Sequence, residues 1–336
     1  MPTAVQWLRK HLFNGWWNSL LTLVCAWFIL GAIGNFLGWI TTQAQWNVVS
    51  QNLRLFLVGR YPADQSWRLW LVLAIGGGTT AFWLWSTFTK QAQLKQRLRL
   101  VPLIGYPLAY LLCLWLIGGG LGLPIVRTSF WNGLLLTLLA AMTSVVLAFP
   151  LGVLLALGRQ SDLPVLRGVS TLYIELMRGL PLIGILFMAQ VMLPLILPGQ
   201  MRPDRVGRAI AGLLLFNAAY LAETVRGGLQ TIPRGQVEAA KALGLNPIQQ
   251  LRLIILPQAL QVVIPAIVGQ FISLFKDTSL LALFALLELT GISRTILAQP
   301  SYLGRYAEVY LFVGLLYWIF CYSMSQISRR LERQQL

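Results

Sequence analysis

Long apolar runs recur along this chain of 336 residues, and they decide what it can fold into. A helix needs about 20 mostly apolar residues to cross the hydrocarbon core of a bilayer. Runs near that length occupy 20–40, 69–88, 101–121, 130–157, 171–197, 209–224, 262–289 and 307–327. In lipid every backbone N–H and C=O must be satisfied inside the protein, so such runs fold as helices. The expectation is an all-α, polytopic integral membrane protein with about eight transmembrane helices. Only 11% of residues are charged and the mean hydropathy is +0.69. A soluble domain carries about 25% charged residues, so a soluble enzyme is excluded. Three of the runs exceed one crossing, and Pro150, Pro181 and Pro194 fall inside runs of this kind. Tilting, kinking or extension beyond the bilayer would accommodate them.

The net charge of +16 would suggest a nucleic-acid partner in a soluble protein. Here the basic residues fill short gaps between apolar runs, which is how membrane orientation is encoded. With the N-terminus cytoplasmic, the inside segments carry Arg9 and Lys10, then Lys90, Lys95, Arg97 and Arg99, then Arg159 and Arg167, and further clusters at 226–252 and 329–333. The outside segments hold fewer, among them Arg54, Arg60 and Arg68. Both termini are therefore expected in the cytoplasm, and no nucleic-acid partner is expected. The first run is too long for a cleaved leader, and the bulky Trp39 and Ile40 stand where small residues would precede a cleavage site, so it reads as a retained span. Cys25, Cys113 and Cys321 each lie inside an apolar run and His11 is the only histidine, so neither a disulfide framework nor a metal site is implied.

The chain changes character near residue 128. The first three spans are rich in Trp and Gly and hold no acidic residue, whereas Glu175, Arg178, Asn217, Glu223, Lys276, Asp277 and Glu288 lie in or beside the later ones. Ionisable residues at membrane depth are costly and mark function by default. Residues 1–128 read as an accessory region with three spans, and 129–336 as a working core with five.

The segment 227–257, expected to face the cytoplasm, carries the clearest local chemistry. Good helix formers over 235–243 end at Gly244, which suits a left-handed C-cap. Asn246 then caps a second short helix with Pro247 at its first position and Gln249 completing a capping box, and Pro257 is expected to close it. The product is a compact knob with small residues at its tip, which another protein surface can approach closely.

The spacing within this knob is specific. Glu238-Ala239-Ala240, three residues, Gly244, nine residues, Ile254, one residue and Leu256-Pro257 resemble the EAA motif of ABC importer permeases at each anchor. In that family the loop is the coupling helix seated in a groove of the cytoplasmic ATPase. Tyr173-Ile-Glu175-Leu-Met-Arg178-Gly179-Leu-Pro181 and Phe275-Lys276-Asp277-Thr278-Ser279-Leu280 are similar to stretches of the polar and general L-amino-acid permeases, with Leu180 departing from the usual Thr or Val. The resemblance spans about 129–328. It implies a type I ABC importer permease core in the bacterial inner membrane, a cytoplasmic ABC ATPase dimer that holds ATP and Mg, an extracytoplasmic amino-acid-binding protein, and a second permease subunit, homologous or identical.

Glu175 with Arg178, and Glu223 with Arg226, are spaced three apart, so each pair is expected to neutralise itself near the inner interface as structural glue. Lys276-Asp277 stands farther from the cytoplasmic end, followed by the hydroxyls of Thr278 and Ser279. Two roles fit it. Asp277 and Lys276 answer the ammonium and carboxylate of an amino acid, or the adjacent charges hold a helix break or outer gate. In the resembling family this motif lies along the translocation route. The chain has no Gly-x-x-x-x-Gly-Lys-Ser/Thr sequence to cradle ATP. An ion-gradient-driven secondary transporter is the alternative, but the inverted repeats that favour it are not found. A membrane hydrolase or acyltransferase lacks its catalytic set, with no His-Glu-x-x-His and no Gly-x-Ser-x-Gly.

Overall fold

A computed structural model describes residues 4–88 and 100–333; Lys90, Lys95, Arg97 and Arg99 lie outside the described residues. The order is α1 (Ala4–His11), α2 (Trp16–Thr42), α3 (Asn47–Gln51), α4 (Leu53–Val58), α5 (Ser66–Phe88), α6 (Leu100–Gly118), α7 (Gly133–Arg159), α8 (Pro164–Gly179), α9 (Leu182–Ile196), α10 (Arg205–Gln230), α11 (Arg234–Ala242), α12 (Pro247–Gln250), α13 (Leu256–Asp277), α14 (Leu289–Leu297) and α15 (Tyr306–Arg333). No strand forms among the described residues.

Five helices are long and apolar enough to cross a membrane, namely Trp16–Thr42, Gly133–Arg159, Arg205–Gln230, Pro247–Phe284 and Tyr306–Arg330, and the bent pair α8–α9 makes a sixth. The expected count of eight is not reached by this measure, although α5 and α6 are helical where spans two and three were expected. Proline shapes two stretches: the kink allowed for in 171–197 forms, and one expectation is corrected. The run 171–197 is not one straight crossing, because α8 and α9 meet at 105°. Leu180 is extended (φ −100°, ψ 142°), as the residue before a proline prefers, and Pro181 starts α9 afresh. Pro257, by contrast, does not close the second loop helix. A π turn over Leu251–Ile255 joins α12 to α13, so one helical path runs from Pro247 to Phe284. The wider turn just ahead of Pro257 accommodates a ring that lacks an N–H and crowds the preceding turn.

The core is built on α10, which packs along α7, α13 and α8. Ala148 and Ala156 of α7, Ala218 and Ala222 of α10, and Ala259 of α13 are fully buried. Lipid tails are as apolar as the protein, so helices associate there through close van der Waals contact, which small side chains permit. Phe275 on α13 meets Tyr317 and Phe320 of α15 with ring centroids 5.2 and 5.6 Å apart.

At the end of the bundle opposite the 227–257 loop, the Gly133 amide donates to the Leu287 carbonyl at 2.7 Å. The fully buried Glu288 caps α14 by accepting from the amides of Thr290 and Gly291, each at 2.8 Å. The segment between the first two expected spans folds onto this end. Val48 of α3 and Phe56 of α4 are fully buried against Leu134, Leu289, Ile292 and Val309. Arg68, counted among the outside segments, is fully buried and donates to the Pro124 carbonyl at 2.9 Å. No residue of α2 is buried against the rest of the chain.

Candidate functional site: a coupling loop and the polar face of the core

The loop at 227–257 is shaped by local chemistry. α11 ends in a Schellman arrangement, with the Gly244 amide donating to the Lys241 carbonyl at 2.9 Å and the Leu245 amide to the Ala240 carbonyl at 3.2 Å. Gly244 has φ +73°, a conformation that costs other residues backbone strain. Asn246 and Gln249 form the reciprocal capping box at 3.0 and 2.9 Å. Gln250 is buried and donates to the Leu245 carbonyl at 2.6 Å, fixing the turn from inside. The root of the loop is equally fixed, since Leu229, Ile232, Ile255 and Ala259 pack with Ala156, Ile174 and Val225.

The motif anchors divide by exposure. Glu238, Ala239, Gly244 and Pro257 face outward, Ala240 is fully buried, and Ile254 and Leu256 are half-buried. Two residues missed in the sequence sharpen the surface: Leu243 is 78% exposed and Ile248 is 75% exposed. These apolar side chains bracket the Gly244–Pro247 turn, and that bracketing was the available signal. A rigid knob with apolar tips and small flanks suits insertion into a groove.

Beside the loop root, charged side chains from three helices converge. Arg159 at the end of α7 reaches Glu175 of α8 at 2.8 Å and Glu223 of α10 at 2.5 Å. Glu223 also receives Arg226 at 2.9 Å and Arg178 at 3.5 Å. The expected Glu223–Arg226 pair forms. Glu175 pairs with Arg159 rather than with Arg178, because Arg178 turns toward Glu223 and lies 5.8 Å from the Tyr220 ring centroid. Arg159 was missed; its signal was a lone cation where α7 ends, facing two carboxylates at the same depth.

Lys276 and Asp277 occupy the last turn of α13, Lys276 exposed and Asp277 half-buried. Thr278 is buried and its hydroxyl donates to the Phe275 carbonyl at 2.6 Å, whereas Ser279 is half-buried. Two turns before Asp277 on the same helix, Gln270 donates to Asn217 of α10 at 2.9 Å, and Asn217 in turn donates to the Leu213 carbonyl at 2.9 Å. Gln270 and Asp277 are seven apart and therefore share a face, so α13 presents a polar track at membrane depth. The sequence marked Asn217 but not Gln270. Among the described residues no three His, Cys, Asp or Glu side chains group as metal ligands.

Comparison with known proteins agrees with this geometry. Residues 148–335 match the family described as "Binding-protein-dependent transport system inner membrane component". The chain is 41% identical, over 98% of its length and 93% of the relative's, to the inner membrane amino-acid ABC transporter permease protein YhdY of Escherichia coli (strain K12). It is 36% identical, with the same two coverages, to the glutamate/glutamine/aspartate/asparagine transport system permease protein BztC of Rhodobacter capsulatus. A chain in the crystal structure of an amino acid ABC transporter with histidines superposes with a TM-score of 0.54 at 28% identity, covering 60% of this chain and 92% of its own. With the spacing within the 227–257 loop, the buried alanine seams and these matches together, the chain belongs to the binding-protein-dependent inner membrane components and is a multi-pass permease subunit of an ABC importer, not an ATPase.

Proposed function

We propose that this permease carries L-amino acids into the cell, receiving them from an extracytoplasmic amino-acid-binding protein and drawing energy from a cytoplasmic ABC ATPase dimer. The observation that carries this reading is the rigid loop knob with exposed Leu243 and Ile248, rooted in helices that also bear the Arg159–Glu223 cluster. ATP and Mg belong to the ATPase, and this chain holds no cofactor. The relatives named above act on amino acids, which supports the substrate class. A second permease subunit, homologous or identical, pairs with this one; exposed Val165, Val169 and Leu172 on α8 offer apolar surface for it. Residues 129–336 form the transporting core and 1–128 an accessory region. The excess of Lys and Arg at the loop end of the core supports a cytoplasmic location for both termini, and Lys276, Asp277, Thr278 and Ser279 border the substrate route.

The test is uptake of radiolabelled amino acids into liposomes holding the whole transporter, with its ATPase and binding protein. Uptake should require ATP inside the model cytoplasm and persist when ion gradients are collapsed. Uptake that continues without the ATPase and stops with an ionophore would establish the secondary-transporter alternative.

A further inference from the structure

The stretch 43–65 is a folded cap on the core. The Gln45 amide donates to the buried Glu308 carboxylate at 2.9 Å, and the Tyr302 hydroxyl bonds Gln51 Oε1 at 2.5 Å. The Arg60 amide faces Asn132 Oδ1 at 3.4 Å, and Val48 and Phe56 are fully buried beneath. A segment held at this many points presents its outward side chains at fixed positions. Those side chains include exposed Arg54 and Arg60, and the elements under the cap add exposed Arg294 and half-exposed Arg305. The nearby acids offset them only in part, Glu288 attracting Arg294 without a direct contact. Glu308 is committed to Gln45 and Glu288 caps α14, both buried, which leaves Asp64 as the exposed acid of the cap. Among the described residues none of the four arginines forms an ion pair.

We propose that this cap is an added docking platform for the amino-acid-binding protein, with Arg54, Arg60, Arg294 and Arg305 meeting an acidic patch on that protein. The inference rests on the functional reading above, which places this end of the bundle outside the cell. Positive charge outside works against the orientation signal, yet here Arg54 and Arg60 stand on a segment built to stay in place. A soluble partner is favoured over lipid head groups because Arg294 is the exposed residue of a helix whose Ile292, Ile296 and Leu297 are buried in the end of the bundle. Complementary charge of this kind sets encounter rate and register.

The test uses the whole transporter in nanodiscs of neutral phosphatidylcholine, or of phosphatidylcholine with phosphatidylglycerol, and its substrate-loaded binding protein. Arg54→Glu with Arg60→Glu should weaken binding about tenfold at low salt and flatten its salt dependence, with basal ATPase activity unchanged. Arg54 also donates to the Tyr61 carbonyl at 2.9 Å. For that reason Arg60→Glu and Arg294→Glu are measured singly, each expected to weaken binding about threefold. Wild-type affinity and salt dependence in all three variants would overturn the proposal. An effect seen only with phosphatidylglycerol would also overturn it and assign the arginines to lipid. Wild-type transporter that no binding protein stimulates would instead defeat the underlying functional reading, and this inference with it.

Discussion

Arg159 Nη1 lies 2.5 Å from Glu223 Oε1, joining the last turn of α7 to α10 beside the root of the 227–257 loop. Glu223 is the hub, since Arg178 and Arg226 also converge on it and its side chain is only 16% exposed. Removing the hub leaves three cations facing one another, whereas removing Arg159 leaves Glu223 with two partners. Glu223→Ala should therefore cost about 1.5–3 kcal/mol, the range for hydrogen bonds to charged groups, and Arg159→Met distinctly less. Glu175 is 55% exposed, so Glu175→Ala should cost no more than about 1 kcal/mol. Thermal unfolding in detergent checks the order, and a larger loss for Glu175→Ala than for Glu223→Ala would remove Glu223 as the hub.

Coupling is read most directly at the knob. Ala239→Arg adds a long cation to an exposed small flank, and Gly244→Asp places a charge at the tip in a left-handed conformation. Apart from its chain neighbours, no residue comes within 4 Å of the position a Cβ would take at Gly244. The cost to the fold is then backbone strain alone, about 1 kcal/mol. Both variants should insert and retain wild-type thermal stability within that margin, while ATP-driven uptake is lost. Normal uptake by a well-expressed Gly244→Asp variant would count against the coupling role.

The knob was legible in the sequence because its determinants are neighbours along the chain: a glycine C-cap, an Asn246 capping box and a proline at N1 each act within four residues. The Arg159–Glu175 pair was not, because which cation meets which carboxylate depends on how α7 and α8 turn against each other, and i,i+3 spacing alone favoured Arg178. The cap at 43–65 was hidden for the same reason. Val48 and Phe56 look like ordinary loop apolars until Leu289, Ile292 and Val309, more than 230 residues away, come to cover them. The path through Pro257 failed in another way. Proline signals a helix end, and a π turn that relieves its ring has no simple sequence mark.

Gly133 reports on whether the cap is an integral part of the core. It has φ +63°, and a Cβ there would clash with the Phe56 carbonyl oxygen. Gly133→Ala brings left-handed strain of about 1–2 kcal/mol and forces α4 away from α7. Hydrogen exchange over residues 47–58 should then speed up with little change in α10. Unchanged protection of that segment would mean that the cap is held independently of this contact.

Asp277 decides whether the polar track of α13 touches substrate. It stands on the last turn of the helix, half-buried, on the same face as Gln270, whose amide is tied to Asn217 at 2.9 Å. A carboxylate at this depth is costly unless it is paired, and its exposed neighbour Lys276 attracts it without forming a direct ion pair. If the ammonium of a passing amino acid is the partner, Asp277→Asn keeps the shape and removes one charge-assisted hydrogen bond, worth about 1.5–3 kcal/mol. The half-saturation constant for uptake should rise about tenfold or more, since each 1.4 kcal/mol is a factor of ten, and ATPase stimulation by the loaded binding protein should persist. A gating role predicts the opposite division, with coupled ATPase activity falling and half-saturation unmoved. Thr278 sharpens the comparison, because its hydroxyl is already spent on the Phe275 carbonyl. Thr278→Val should therefore lower stability without shifting half-saturation, whereas Ser279→Ala should shift half-saturation if the route passes this turn. Measuring both quantities on each reconstituted variant separates the roles, and an unchanged half-saturation constant in Asp277→Asn would take Asp277 out of the substrate route.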